Sequence, residues 1–243
     1  MGAPLMHGLD SDPRVEFRRD PPTDLARMLR EGVLDAALLS SIEGYRHVGY
    51  RAAEELCIAS RGPARSVRAF IRPGVIHTVG MDSGSATSVA LLRILLHHGL
   101  IGECAEHIEY TAIQPTLLPD DLPQDVVMMI GDNGLNADPG PRRCADLGEL
   151  WSGLTGLPMV YALWLITAKA DTDAIIPRLH ESRRASVEAN VSDGTDGAIY
   201  YSLGDAEHRG LRRFHEEAAA LDLAETSIRP AFVGIHKQPR EDA

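Results

Sequence analysis

The stretch PTDLARMLREGVLDAALLSSIEGY, residues 22–45, joins a helical pattern to a strand pattern. Its first part places apolar residues such as Met28 and Leu29 at helical spacing, and Thr23 stands where a capping side chain is expected. Gly32 predicts the end of this helix, because glycine commonly follows the last helical turn.

The second part of the stretch predicts a strand and a new helix. Residues 33–39 are apolar except for Asp35, which favours a strand buried on both faces, as in a parallel sheet. Ser40 and Glu43 have the S-x-x-E spacing of a capping box. The order helix, strand, loop, helix is typical of an α/β protein.

Similar units follow along the chain, and a polar tail at residues 234–243 is expected to be frayed. Asp146 stands three residues before Glu149 and predicts the cap of another helix. The remaining predicted elements are strands at residues 67–71, 75–79, 126–130 and 159–167, and helices that carry Leu91–Leu96, Trp151 and the stripe from Leu211 to Leu221.

Two segments, residues 66–72 and 159–167, are long enough to cross between lobes. A chain that crosses out and returns once forms a discontinuous first lobe and a continuous second lobe. We therefore expect a two-lobed clamshell, each lobe a mixed sheet flanked by helices, with the ligand cleft between the lobes. The expected boundaries are residues 1–70 plus 168–243 for the first lobe and residues 71–167 for the second.

Composition excludes several classes of protein. The 243 residues are 44% hydrophobic and 24% charged, as in globular proteins, and the formal net charge of −11 argues against a nucleic-acid partner. Three scattered cysteines indicate reduced thiols, and no stretch has the apolar length of a membrane span or the pattern of a signal peptide. We expect a cytoplasmic protein that binds a small molecule, with no nucleic acid or membrane partner; the oligomeric state stays open.

Hydroxyl groups at predicted helix starts are the main candidates for ligand binding. A helix start offers unpaired N–H groups and partial positive charge, which suit a carboxylate. Arginine adds bidentate binding of the same group. The candidates are Ser40, Ser41, Ser83, Ser85, Thr87 and Ser88, then Ser60, Arg65 and Ser66 in the segment SRGPARS, and Asp132 and Asn133 after the strand at residues 126–130.

Each candidate also has a structural interpretation. A serine at a helix start can simply cap the helix, and Asp132 favours an Asx-turn. No spacing of His and Cys suggests a metal site, and neither a nucleophile elbow nor a nucleotide-binding glycine motif is present. We therefore expect no metal and no cofactor.

Four strings, in this order along the chain, resemble one known family. They are REGVLD with LSSIE (residues 30–43), GPARSV (62–67), SATSV (85–89), and DLGELW followed by TGLPMVYALW (146–164). Together they resemble the chorismate dehydratases of the futalosine route to menaquinone. The last string is the most specific, and the resemblance extends from about residue 4 to residue 223.

The resemblance implies a type II periplasmic-binding-protein fold that acts as an enzyme. The family converts chorismate to 3-[(1-carboxyvinyl)oxy]benzoate by loss of water, without a cofactor, so the activity would be that of a carbon–oxygen lyase on a small dicarboxylate. The resemblance puts weight on Ser66 as a catalytic contact and on the 83–88 loop and Ser41 as substrate contacts. A carboxylate of the substrate acting as its own base is consistent with the family.

The sequence departs from the family at its start. Family members begin with a strand that leads into an Asn-x-x-Pro-Leu turn, and Ala3-Pro4-Leu5 matches only the end of that motif. Met1 stands where the asparagine belongs. We expect the natural chain to start upstream and to supply this strand to the first lobe.

Two other functions stay open. One is the related enzyme that makes 1,4-dihydroxy-6-naphthoate, for which a histidine base in the cleft is expected. The other is a solute-binding protein for an aromatic carboxylate, which would normally carry an export signal.

Overall fold

The computed structural model describes residues 2–192 and 194–235. Met1, residue 193 and residues 236–243 of the polar tail lie outside the described residues. The strands β1 to β10 are Ala36–Ser40, Arg51–Ser60, Val67–Ile71, Ile76–Asp82, Cys104–Ile113, Val126–Ile130, Arg143–Asp146, Met159–Ile166, Ile199–Leu203 and Ala231–Val233. The helices α1 to α7 are Ala3–Met6, Pro22–Arg30, Ala86–His97, Gly131–Asn136, Leu147–Thr155, Thr172–Glu188 and Asp205–Ala220.

The first sheet has β8 between β1 and β2, antiparallel to both strands. β9 and β10 share the other side of β2, the former antiparallel and the latter parallel, so the sheet is mixed. Because β1 and β2 run in the same direction, their carboxyl ends at Ser40 and Ser60 lie at the same edge of the sheet.

The second sheet has the strand order β5-β4-β6-β3-β7 and is also mixed. β4 is parallel to β5 and β6, whereas β3 is antiparallel to β6 and β7. Val67 at the start of β3 pairs with Ile130 at the end of β6. The carboxyl ends of β4 and β6 and the start of β3 therefore meet at one edge of this sheet.

Helix α3 joins the two sheets into one core. It packs against α5, α7 and the short 3-10 turn Ser41–Tyr45 that follows β1. Leu91 of α3, Trp151 of α5 and Phe214 of α7 are almost fully buried in the same cluster. The rings of Trp151 and Phe214 meet edge to face, with their centroids 6.0 Å apart. Burial of these large side chains stabilises this junction.

The limits of the sheets differ from the expected lobe boundaries. β8 was expected at the end of the second lobe, but it pairs with β1 and β2 in the first sheet. β3 starts at Val67, before the expected boundary at residue 71, and lies in the second sheet. The chain therefore changes sheets within residues 61–66 and again within residues 147–158. The division of the chain into two lobes stays a prediction.

The prediction of a parallel strand buried on both faces is wrong for β1. This strand pairs antiparallel with β8 at the end of the sheet, and no described strand lies on its other side. Ala37 and Leu39 are buried, while the residues between them are only partly buried. A cavity of about 800 Å³ separates β1 from residues 14–20, where Val15 and Phe17 are half-buried between exposed neighbours. A strand added to this sheet would lie in this cavity.

Two predicted helix caps are also wrong. α2 begins at Pro22, after Pro21, and no side chain caps it, although Gly32 has the expected positive φ of 73°. Ser40 makes no cap bond, because the segment that follows β1 is a 3-10 turn rather than an α-helix. Glu43 instead pairs with Arg46 at 2.8 Å. Within the described ranges, no helix is both long and apolar enough to cross a membrane.

Candidate functional site

The structure brings the predicted hydroxyl residues of the two sheets together. Ser40 ends β1 and Ser41 follows it, while Ser85 and Thr87 lie at the start of α3, shortly after β4. The Oγ atoms of Ser40 and Ser85 are 3.5 Å apart, and Ser41 Oγ lies 3.1 Å from Thr87 Oγ1. The facing edges of the sheets therefore form a hydroxyl-rich interface, which lies between them as expected for a cleft.

The inner pair of this interface, Ser41 and Thr87, makes its hydrogen bonds within the protein. Ser41 and Thr87 are completely buried. The Ser41 hydroxyl donates to the Val160 carbonyl at 2.7 Å, and Thr87 Oγ1 accepts from the backbone N–H of Ile42 at 3.2 Å. The Thr87 hydroxyl proton is then the one that completes the bond to Ser41. These two side chains hold the sheets together.

The outer part of the interface keeps polar atoms near the surface. Ser85 caps α3, because its Oγ accepts from the N–H of Ser88 at 3.2 Å and from the Ser88 hydroxyl at 3.0 Å. Its own proton therefore points to Ser40 or to a ligand. Ser83 is exposed, Ser40 and Ser85 are partly buried, and Ser88 is buried. The start of α3 also carries the partial positive charge that suits an anion.

Asp82 was not singled out from the sequence. It is the last residue of β4 and is only 5% exposed, with its Oδ1 accepting from the N–H of Gly84 at 2.9 Å. A buried carboxylate with few hydrogen bonds is costly and is often found at functional sites. Gly84, its hydrogen-bond donor, lies beside the end of β6, since a Cβ added to Gly84 would lie 3.2 Å from Ile130. No local sequence signal identifies this contact.

Ser60 lies at the first crossing between the sheets and is completely buried. Its Oγ is 3.1 Å from the Gly62 carbonyl and 3.1 Å from the Tyr161 hydroxyl. Ser60 has one proton, which it donates to Gly62, so Tyr161 donates to Ser60. Burial raises the pKa of Tyr161, and it outweighs the opposing effect of this hydrogen bond. Tyr161 therefore stays neutral and acts as a fixed donor.

Asp146 ties the two crossings together. It caps α5 as predicted, accepting at Oδ1 from the N–H groups of Gly148 at 2.9 Å and Glu149 at 3.1 Å. It also accepts from the N–H groups of Ala64 at 2.9 Å and Arg65 at 2.6 Å in the first crossing. One carboxylate thus fixes the outgoing and the returning segment relative to each other.

Arg65 and Ser66 complete the first crossing. Arg65 has a left-handed backbone with φ 64°, and its guanidinium pairs with Asp196 at 2.8 Å. Its charge is therefore already partly balanced. Ser66 is 1% exposed, and its hydroxyl donates to the Ala64 carbonyl at 3.2 Å.

Asp132 and Asn133 lie at the same edge of the second sheet as Ser66. The expected Asx-turn at Asp132 is wrong, because residues 131–136 form α4, directly after β6. Asp132 is exposed and Asn133 is partly buried. The helix packs tightly on the crossing, since a Cβ added to Gly134 would lie 2.3 Å from the Ser66 carbonyl oxygen.

Two large cavities lie outside this interface. The one of about 800 Å³ borders β1, and another of about 600 Å³ borders β9. None of the predicted site residues lines either cavity. In residues 2–192 and 194–235, no group of three or more His, Cys, Asp or Glu side chains is placed to hold a metal ion.

Solved structures with the same architecture include ligand-binding proteins. A protein from Archaeoglobus fulgidus superposes with a TM-score of 0.68 at 14% identity, covering 91% of this chain and 94% of its own. The ligand-binding component of an ABC-type import system from Staphylococcus aureus superposes with a TM-score of 0.58 at 11% identity, covering 95% of this chain and 90% of its own. The predicted two-sheet periplasmic-binding-protein fold is thereby confirmed.

Relatives in sequence indicate the family of this chain, which the fold alone does not. A chorismate dehydratase from Thermus thermophilus is 31% identical over 206 residues, which cover 75% of this chain and 72% of the relative. A chorismate dehydratase from Campylobacter jejuni is 24% identical over 237 residues, covering 91% of each chain. The sequence model of the menaquinone biosynthesis family matches residues 2–202. Since that match runs through both crossings and every hydroxyl residue of the interface, the chain belongs to the menaquinone biosynthesis family.

Proposed function

We propose that this chain is a chorismate dehydratase, which converts chorismate to 3-[(1-carboxyvinyl)oxy]benzoate and water. The observation that carries the proposal is the 31% identical relative of that name, whose match covers 75% of this chain. The relative from Campylobacter jejuni adds support over 91% of the chain.

The arrangement of the interface suits a dicarboxylate. Ser40, Ser83 and Ser85 have hydroxyls that are exposed or partly buried beside the start of α3. Hydroxyl donors and helix N–H groups bind carboxylates well in a site shielded from water. In this proposal these three serines contact substrate, together with Asp132, Asn133 and Arg65 from the second sheet and its crossing.

The buried hydroxyls have a supporting role in the same proposal. Ser41, Ser60, Thr87 and Ser88 are almost fully buried and bonded within the protein. They therefore hold the loops from which the outer serines project. Ser66 keeps its proposed role as a catalytic contact, because it directly precedes β3 at the edge of the second sheet where β4 and β6 end.

The reaction is an elimination without electron transfer, so a cofactor is not needed for its balance. One proton leaves the ring carbon that bears the enolpyruvyl ether, and hydroxide leaves the neighbouring carbon. The two combine as water while the ring becomes aromatic. Asp82 is the buried carboxylate at the interface, so within this proposal it accepts the proton or orients the leaving hydroxyl. A carboxylate of the substrate is the alternative base.

Incubation of the protein with chorismate, followed by chromatography, tests the proposal. The expected result is loss of chorismate with formation of the carboxyvinyloxy-benzoate in equal amount. Ser40→Ala should lower turnover, because it removes a hydroxyl that contacts substrate in this proposal. The fold should tolerate the change, since within the protein this hydroxyl makes only the long contact to Ser85. Ser227→Ala, at an exposed position with no described side-chain contact, is the matched control.

Two results would overturn the proposal. A rise in melting temperature with chorismate, without product, would favour a solute-binding protein. Neither binding nor turnover would favour the related enzyme that makes 1,4-dihydroxy-6-naphthoate.

A further inference from the structure

The cavity of about 600 Å³ lies between β9, the middle of β2 and the second half of α6. It is lined by Glu55 and Leu56 of β2, by three basic residues of α6, and by residues 200–204. None of the residues that the proposed dehydratase reaction uses is among them. Any function of this cavity is therefore separate from that reaction.

Basic side chains dominate this cavity. Arg61, Arg183 and Arg184 line it, against only two acidic residues, Glu55 and Glu207. The chain as a whole carries a formal net charge of −11. A basic lining in an acidic protein marks a local field that favours an anion.

The negative charge of Glu207 is balanced by its neighbours. Its carboxylate accepts from the Tyr200 hydroxyl at 2.7 Å and the Gly204 N–H at 2.9 Å, and it lies 3.3 Å from Arg61. Glu207 and Arg61 thus form an ion pair and add no net charge to the cavity. The remaining charge of the cavity comes from Arg183 and Arg184, opposed only by Glu55, whose side chain is 77% exposed.

Arg183 is held in place for binding. Its guanidinium lies over the ring of Tyr201, 5.0 Å from the centroid, and it donates to Ser186 Oγ at 2.9 Å. Arg184 is exposed and has no described hydrogen bond or ion pair. One cation is therefore oriented and the other is available for an incoming anion.

His180 adds an unpaired nitrogen at the same cavity. Its Nε2 is buried and has no partner among the described residues, while its Nδ1 is 4.0 Å from Glu55 Oε2. An unpaired buried nitrogen is costly, and a bound ion or water commonly explains it. An oxyanion would pair with this nitrogen, in its Nε2–H tautomer, once the ring turns toward the cavity, because the atom itself is buried.

Glu55 has a strained backbone where it borders the cavity. Its φ is 63°, in the left-handed region that non-glycine residues rarely adopt. It lies in a bulge, where the register between β2 and β8 shifts from Ala52 to Cys57. Bulges and strained residues often lie at binding sites, because they redirect side chains.

We propose that this cavity is a second binding site, for a small oxyanion such as a phosphate group, held by Arg183, Arg184 and His180. The site is separate from the proposed substrate interface. It rests on the cavity, the charges and the unpaired nitrogen, so it does not depend on the dehydratase activity.

Calorimetric titration of the full chain with inorganic phosphate, at an ionic strength kept constant with sodium chloride, tests this site. We expect saturable binding that weakens about tenfold or more in Arg184→Gln and in His180→Asn, because each removes one donor to the anion. Arg184→Gln changes an exposed side chain, so its fold should be unaffected. Arg229→Gln, another exposed arginine without a described hydrogen bond or ion pair, should bind phosphate like the unchanged protein.

Each outcome of the titration either supports the proposed oxyanion site or overturns it. Saturable binding that is lost in both cavity variants and kept in the control supports the site. Absence of saturation up to about 10 mM phosphate, well above the range of specific binding, would overturn it. Equal affinity in all variants would show that phosphate binds elsewhere and would overturn it too.

Discussion

The hydroxyl of Ser41, after the edge strand of the first sheet, lies 3.1 Å from the hydroxyl of Thr87, in the first turn of the helix that follows β4. Both residues are completely buried, and their bonds continue to Val160 in the first sheet and to Ile42 in the 3-10 turn that follows β1. A single chain of hydrogen bonds therefore fastens one sheet to the other at the proposed substrate interface.

Thr87→Val should destabilise the protein. It preserves the shape of the side chain but removes the acceptor for the buried Ile42 N–H, which is left unpaired, and the donor to Ser41, whose hydroxyl keeps its bond to Val160. The expected loss is about 1–3 kcal/mol in the free energy of unfolding, measured by urea denaturation. Thr226→Val, at an exposed position, is the control. Equal stability of the two variants would contradict the assigned network.

Gly148→Ala should destabilise the crossing between the sheets. A Cβ at this position would lie 2.6 Å from the Tyr161 hydroxyl and 2.7 Å from both the Gly62 carbonyl and Ser60 Oγ. Gly153, in the same helix, has nothing within 4 Å of its added Cβ. Gly153→Ala should be neutral or stabilising by up to about 1 kcal/mol, because alanine favours the helix. The melting temperatures of the two variants should thus move apart; a parallel shift would refute the packing argument.

Asp125 should make the second sheet sensitive to acid. Burial alone would raise the pKa of its carboxyl, but hydrogen bonds from the N–H groups of His77 and Thr78 and from the Thr78 hydroxyl outweigh burial and lower that pKa. A lowered folded-state pKa stabilises the fold above the ordinary value of 3.8, and this contribution is lost as the pH falls through the folded-state pKa.

A comparison with Asp125→Asn tests whether the Asp125 carboxylate loses its stabilising contribution as the pH falls. Urea denaturation between neutral pH and about pH 3 should show the unchanged protein losing its stability advantage over the variant on acidification. Asp121→Asn, at an exposed neighbouring position, should follow the unchanged protein at every pH. A stability difference between the unchanged protein and Asp125→Asn that does not vary with pH would argue against the assigned role.

Asp82→Asn should lower kcat for chorismate dehydration by roughly a hundredfold or more, the usual effect of losing a general base. The asparagine keeps the shape of the side chain and the bond from the Gly84 N–H at Oδ1. The melting temperature, measured alongside, separates loss of catalysis from loss of fold. Asp20→Asn, at an exposed position, should leave kcat unchanged. Full activity of Asp82→Asn would leave the substrate carboxylate as the base.

Local patterns predicted the elements whose signals are local. The strand Val126–Ile130 and the helix from Ala86 match their apolar patterns, and the cap at Asp146 forms as its spacing predicted. These features depend on residues a few positions apart, so a single sequence contains the information.

Features that depend on distant pairing could not be predicted. Strand β5, residues 104–113, is mostly exposed and therefore lacks an apolar pattern. The placement of β8 between β1 and β2 comes from pairing with residues about a hundred or more positions away in sequence. Asp82 is buried, and the end of β6, more than forty residues away in sequence, lies beside the neighbouring Gly84. At the site, the sequence identified the hydroxyl residues but not which of them the fold would bury.

The side of β1 on which no described strand lies determines how fusion tags should be chosen for this protein. A Cβ on Gly2 would lie 3.2 Å from Leu38 of that strand, so residues joined ahead of Gly2 begin at the cavity beside it. An aliphatic tag of high strand propensity would pair with the exposed edge and add to the sheet, whereas a glycine- and serine-rich tag would stay in solvent. Stability values measured with different tags at this end are therefore not interchangeable.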